Sequence, residues 1–491
     1  MDHIDELCAS LAHRDTSRRE FVSKALKAGL SAALTGTLLE MYSPSAEARE
    51  AAKQLAATSP SGTFDMKKYA GQKVHLRLSK HPYVDALTPD IANFKALTGI
   101  DVTYDITPEE QYFDKLKLGL SQKSSDFDVF MLGAYMTWEY GPAGWTEDLK
   151  PFMDDATKTA PNFDAADIYP NVLKNDSWSG TPGEAPGAGS AKQWALPWGW
   201  EINVLSYRKD IFQKHSLQVP RTYDEIATVA AKLKTLEPKI IPFCARGKLS
   251  WDTIHPGYLS AFHAYGAKDF DDNLKPTMNS PEGVAFTETF MKILKDSGPP
   301  AGRWTGYGVF DMGAAMGAGD IAMYHDADLL TFFQDLPGAS KLGGQGKLAW
   351  APSPGKNGTT GSNIWVWSLG MNSGSQSKDA AWLFMQWASG KEHLLYGATQ
   401  HGHVDTIRKS VFNNPKYQAR IASHPGYAET FRKQAPMSAI YFTPQPLFFT
   451  ETTSWAGTLQ DIYSGKTTAK AGLDKLAADV SSQMSQRGIS K

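Results

Sequence analysis

The chain is 491 residues long, 42% hydrophobic and 21% charged, with a formal net charge of −2. That length exceeds one ordinary hydrophobic core, so two or more domains or lobes are expected. The even charge balance supplies no basic stripe for nucleic-acid phosphates, and two distant cysteines, Cys8 and Cys244, give neither a disulfide framework nor a cysteine zinc site.

Residues 17–24 read Ser17-Arg18-Arg19-Glu20-Phe21-Val22-Ser23-Lys24, which resembles the twin-arginine export signal. The apolar run that follows, Ala25 to Leu39, is diluted by Gly29, Ser31, Thr35 and Gly36. It falls short of the ~20 apolar residues that span a bilayer. Ala46-Glu47-Ala48 is a small-x-small cleavage pattern. Residues 1–48 are therefore expected to be a signal peptide, with a mature chain in the periplasm from Arg49. No cysteine follows the apolar run to carry a lipid anchor. Cleavage removes five of the 50 basic and seven of the 52 acidic residues and leaves 45 of each, a balance compatible with a neutral ligand.

Residues 49–72, rich in Ala, Lys and Ser, read as a leader arm. Val74 to Leu78 alternates apolar residues as a strand does. A helix is predicted from about Thr88 to Leu97, capped at Thr88-Pro89-Asp90 and ended by Gly99. A strand over Ile100–Tyr104, a helix over Pro108–Gln122 and a buried strand over Asp126–Leu132 come next. That alternation predicts an α/β domain on a parallel sheet. Ligands of such sheets gather at the carboxyl ends of the strands. This directs attention to the loops Ser79-Lys80-His81, Thr107–Glu110 and Gly133–Trp138, the last carrying Tyr135.

Ser179–Ser190 is a predicted surface loop, and Trp194-Ala195-Leu196-Pro197 opens a new section. Asp326 follows the apolar run Ile321-Ala322-Met323 and precedes a helical pattern, so it suits a helix cap as well as a ligand. Trp365 and Trp367 follow Asn363 and share one face of a strand, a pattern that fits packed core equally well. There is no internal repeat, phosphate loop, His-Glu-x-x-His or Gly-x-Ser-x-Gly.

Four stretches carry a family likeness by their order and spacing. The first is Ala92–Val102 with Phe127-Asp128-Val129. The second is Leu196–Glu201 with Tyr207–Phe212 and Pro220–Glu225. The third is Gly317–Met323, and the fourth Asp379–Ala388. Together they resemble the family 1 extracellular solute-binding proteins of ABC importers, above all the sugar and polyol binders. The resemblance implies a type II-like periplasmic-binding-protein fold: two discontinuous α/β lobes joined by hinge strands, with the ligand in the cleft. Lobe 1 would hold 73–194 and 322–372, and lobe 2 would hold 195–321 and 373–491. It implies a monomer that captures a sugar or polyol for ABC permease subunits, with no catalysis, cofactor or metal and no nucleic-acid partner.

Sugars and polyols bury C–H faces on aromatic rings and meet planar polar groups through their hydroxyls. Trp198, Trp200 and Glu201 at the expected hinge fit that chemistry, and so do Trp365 and Trp367. By resemblance, Glu109, Asp326 and Arg408 match ligand-facing positions. Each also has a plain reading, as a first-turn carboxylate favoured by the helix dipole, a cap and an exposed basic turn. Trp251-Asp252 follows Arg246-Gly247, but Asp252-Thr253 stands where many relatives have Glu-Asn, which leaves the exact ligand open. Lys80, His81, Tyr135 and Asn363 complete the expected set. Two alternatives stand beside this reading. One is a secreted glycoside hydrolase with a carboxylate pair drawn from Glu201, Asp326 and Glu109. The other is a ferric-iron binder, which would need clustered tyrosines.

Overall fold

Strand β1 (Lys73–Ser79) buries Val74, Leu76 and Leu78 completely. The computed structural model describes residues 64–300 and 302–489; the export signal and residues 49–63 of the leader arm lie outside the described residues. Strand β1 pairs in parallel with β2 (Asp101–Thr107) and β3 (Val129–Gly133). Helices α1 (Pro82–Thr98) and α2 (Glu109–Ser121) make the two crossovers.

Helix α1 starts six residues before the predicted Thr88. Its cap is His81, whose Nδ1 accepts the Tyr83 N–H at 3.2 Å. Pro82 occupies the first turn, where no N–H is required. Pro89 lies inside the helix rather than at its start, and only one ladder bond is forfeited there. Gly99 ends the helix with φ of 72° and donates to the Lys95 carbonyl at 2.7 Å, a left-handed cap that glycine adopts without steric cost.

The sheet is mixed rather than wholly parallel. Strands β4 (Ser177–Trp178) and β5 (Lys192–Gln193) form a separate pair, and the seven strands of the main sheet run β2-β1-β3, then β9 (Ile364–Met371), β6 (Leu196–Arg208) and β7 (Met323–Ala327), with β8 (Leu348–Ala351) also paired to β6. Strands β6 (Leu196–Arg208) and β9 (Ile364–Met371) are antiparallel to their neighbours. The first half of β6, Leu196–Ile202, pairs with β9. Its second half pairs with β7 (Met323–Ala327) and β8 (Leu348–Ala351). One 13-residue strand thus threads both parts of the sheet. It is buried along nearly its whole length, polar Glu201, Asn203 and Ser206 included, so burial does not follow a period of two.

Met323–Ala327, assigned by resemblance to the first lobe, is hydrogen-bonded to the second half of β6. Helix Lys378–Ala388, assigned to the second lobe, packs on β1, β9 and α1, and Lys391–Gln400 packs on α1. The apolar face of Lys378–Ala388, with Trp382, Leu383 and Phe384 buried, covers the sheet that β1 begins. The last two helices, Phe448–Tyr463 and Ala469–Gln486, pack on each other and on helix Pro281–Ser297.

Candidate functional site

Antiparallel partners carry their side chains on the same face of a sheet. In the β6–β9 register Glu201 lies opposite Trp365 and Gly199 opposite Trp367. Glu201, Trp365 and Trp367 therefore face one side, and all three line a cavity. The loop after β1 adds His81, and the first turn of α2 adds Glu109. The segment 246–255 contributes Arg246, Trp251, Asp252 and His255. Two helix starts contribute Val309, Phe310, Leu329 and Leu330. The cavity holds about 370 Å³ of space not filled by atoms, part of it open to solvent.

Its apolar wall is aromatic. Trp251 stacks on Trp365 with ring centroids 4.9 Å apart, and Trp367 meets Trp365 edge to face at 5.3 Å. The Trp365 ring lies directly over Gly133 on β3. A Cβ there would stand 2.1 Å from the ring, so only glycine leaves room for the tryptophan. The Trp365 indole N–H is buried and has no partner among the described residues.

Its polar wall centres on Arg246. Nε and one terminal nitrogen donate to the two Asp326 oxygens at 3.0 and 2.6 Å. The other terminal nitrogen donates to an Asp252 carboxylate oxygen at 3.0 Å. Burial works against the charge on Arg246, but Asp326 and Asp252 more than offset it and hold the guanidinium protonated. Two carboxylates already outweigh its single charge, which leaves this arginine no surplus as a counterion for an acidic ligand. His81 is neutral, its pKa pushed down by burial to about 3. With Nδ1 accepting from Tyr83, the ring proton resides on Nε2 as a donor. Burial, then the charge of Arg246, lowers the His255 pKa as well.

Glu201 accepts the Trp367 indole N–H at 2.7 Å. Burial pushes its carboxyl up to about 8 against the lowering influence of Arg246, so it is mostly protonated at neutral pH. The folded chain keeps this proton between about pH 4.5 and 8, where the unfolded chain has lost it. Its contribution to stability is therefore full below pH 4.5 and falls as pH rises through that window, by at most about 1.4 kcal/mol per pH unit. Glu201→Gln cannot titrate. Its melting temperature relative to the parent is expected to climb steadily from pH 5 to pH 8, and a constant difference would contradict a protonated Glu201.

The other expected residues lie elsewhere. Trp198 and Trp200 project from the opposite face of β6. Trp198 packs on Tyr83 and His403, while Trp200 packs on Tyr169 and Phe431 and donates to the Thr406 carbonyl. Both are fully buried core. Tyr135 stacks on Phe448 and Trp365 and donates to Asn363 and the Ile364 carbonyl. Asn363 ties Tyr135 to the His255 carbonyl and the Tyr441 N–H. Arg408, expected as an exposed turn or a ligand contact, is fully buried and donates to the Ser389 and Asp164 carbonyls. Asp326 is also fully buried and touches the cavity only through Arg246. Exposed Lys80 pairs with Asp85 in an outer vestibule beside the cavity. Arg246, His255, Phe310 and the two leucines were not expected. The match of Arg246-Gly247 to relatives and a buried aspartate's need for a cation are the signals that point to Arg246. Among the described residues no group of three His, Cys, Asp or Glu side chains is placed to hold a metal ion.

A family model described as bacterial extracellular solute-binding protein matches residues 80–393. The erythritol/L-threitol-binding protein of Mycolicibacterium smegmatis is 35% identical over 458 residues, covering 92% of this chain and 94% of that one. The mannitol-binding protein of Pseudomonas aeruginosa is 25% identical over 343 residues, 70% of this chain and 71% of that protein. In fold, the chain is similar to an ABC transporter solute-binding protein of Agrobacterium radiobacter K84 crystallised with ribitol. The TM-score is 0.70 at 24% identity, covering 84% of this chain and 98% of that one. The fold is thus that of the two-lobed periplasmic binding proteins.

Proposed function

The chain belongs to the bacterial extracellular solute-binding proteins, and from that premise we propose that it captures a short polyol and delivers it to ABC permease subunits without changing it. One observation carries the choice of ligand: three indole rings face a polar wall, whose one guanidinium is already paired with two carboxylates, across a small cavity. Indole faces take up C–H surface. Arg246, His81 and the Trp365 N–H supply donors, while Asp252, Glu109 and Glu201 meet hydroxyls on the other side. The likeness to a four-carbon polyol binder over nearly the full length of both chains supports the short end of the range.

A thermal-shift screen over polyols, monosaccharides and disaccharides tests the reading. A ligand present at 100 times its Kd stabilises the folded state by about 2.7 kcal/mol. Polyols are expected to give the largest shifts, and the polyol is expected to be recovered intact. A hydrolase would instead use protonated Glu201 as a general acid and release product from a glycoside.

Export by the twin-arginine route to the periplasm belongs to the same proposal, supported by the order of Arg18-Arg19, apolar run and Ala46-Glu47-Ala48. Sequencing the exported protein is expected to give an N-terminus near Arg49. Retention of residues 17–40 in that protein would rule the signal out.

A further inference from the structure

Two spaces adjoin at the cleft. The inner cavity holds the indoles and Arg246. The outer vestibule, with about 740 Å³ not filled by atoms, is edged by Lys80, Pro82, Asp85 and Pro108. Three side chains line both spaces and so form the wall between them: His81, Glu109 and Phe310. The first two come from strand ends of the parallel sheet. Phe310 comes from the opposite side, on helix Val309–Ala318.

That helix holds Phe310 in place without burying it. The Asp311 carboxylate accepts the Gly308 N–H at 2.9 Å and fixes the first turn. Met312 and Met316 anchor the helix, both fully buried. Two residues of helix turn the chain by about 200°, so Phe310 projects away from the Met312 side and is 52% exposed. A half-exposed ring contributes little to the core. His81 and Glu109 cannot be changed so cleanly, because His81 caps α1 and Glu109 opens α2.

We propose that Phe310 sets the upper limit of ligand length by walling the inner cavity off from the vestibule. On this proposal a four-carbon polyol stays on the inner side of Phe310. A six-carbon polyol would then extend past the wall that Phe310 completes. The inference rests on the polyol reading and adds to it a residue that determines specificity.

The test is titration calorimetry of the parent, Phe310→Ala and Phe310→Trp proteins with erythritol, mannitol and maltitol, each variant first checked for an unchanged thermal transition. The parent is expected to favour erythritol. Phe310→Ala is expected to shift the mannitol-to-erythritol affinity ratio toward mannitol by about tenfold or more, since loss of a steric wall acts on the longer ligand alone. Phe310→Trp is expected to shift it the other way. A parent that binds mannitol as tightly as erythritol overturns the proposal, and so does a ratio unmoved by either substitution. If neither the parent nor Phe310→Ala binds any polyol, the polyol reading falls and the length limit falls with it. Binding of erythritol with an unmoved ratio removes the length limit alone.

Discussion

Trp365→Ala is expected to weaken ligand binding by about 2 kcal/mol or more, roughly 30-fold, and to cost the fold about 3–5 kcal/mol. The ring is 2% exposed and stands between Trp251 and Tyr135, over the backbone of Gly133. A sheet backbone cannot collapse into the space that the ring leaves, so the cavity term is close to its maximum. Trp365→Phe separates the two roles of the indole. It keeps a ring face and loses the buried N–H, and it is expected to cost only about 1 kcal/mol of binding. Trp198→Ala is the control, since that ring is equally buried but lies on the other face of β6. It is expected to lower the melting temperature comparably while leaving the affinity within about threefold, a difference of less than 1 kcal/mol. Calorimetry paired with thermal melts measures both quantities. A folded Trp365→Ala protein that binds as the parent does would remove the aromatic wall from the site.

The second large effect is expected at a residue that never faces the cavity. Asp326→Ala deletes both acceptors of a bidentate pair and leaves the Arg246 guanidinium buried with only Asp252 beside it. Removing one partner of a buried ion pair costs about 3–5 kcal/mol, mostly as the penalty for the stranded charge. The value here is expected at the low end, because Asp252 remains. Binding is expected to fall as well, since the guanidinium loses the two bonds that aim it. The double replacement Arg246→Met with Asp326→Leu distinguishes stability from recognition. With no charge left to strand, it is expected to recover most of the lost stability, yet it should bind no better than Asp326→Ala. If the double variant regains affinity, Arg246 is not a donor to the ligand.

Much of this arrangement is visible in the sequence, and the rest is hidden for identifiable reasons. The loops after β1 and β2 could be placed at the cavity because parallel strands direct their carboxyl ends to one edge. They supply His81 and Glu109. The pair Trp365 and Trp367 could be assigned to a common face from a period of two. The same parity separates Glu201 from Trp198 and Trp200, but the register irregularity between Pro197 and Gly199 and the burial of both faces of β6 mask which face is which. Arg246 and Asp326 lie 80 positions apart, and no local pattern joins them. The early start of α1 escapes detection because a histidine serves as its cap and its interior proline looks like a beginning. Helix Lys378–Ala388 reads clearly as a helix, but only packing shows that it covers β1 and β9.

We propose that this cavity holds a short polyol and leaves it unchanged. Titration calorimetry of the mature protein with erythritol, followed by quantification of the polyol, tests it most directly. One saturable site per chain and full recovery of the polyol are expected. Absence of binding at millimolar concentration, or loss of the polyol on incubation with the protein, would contradict it.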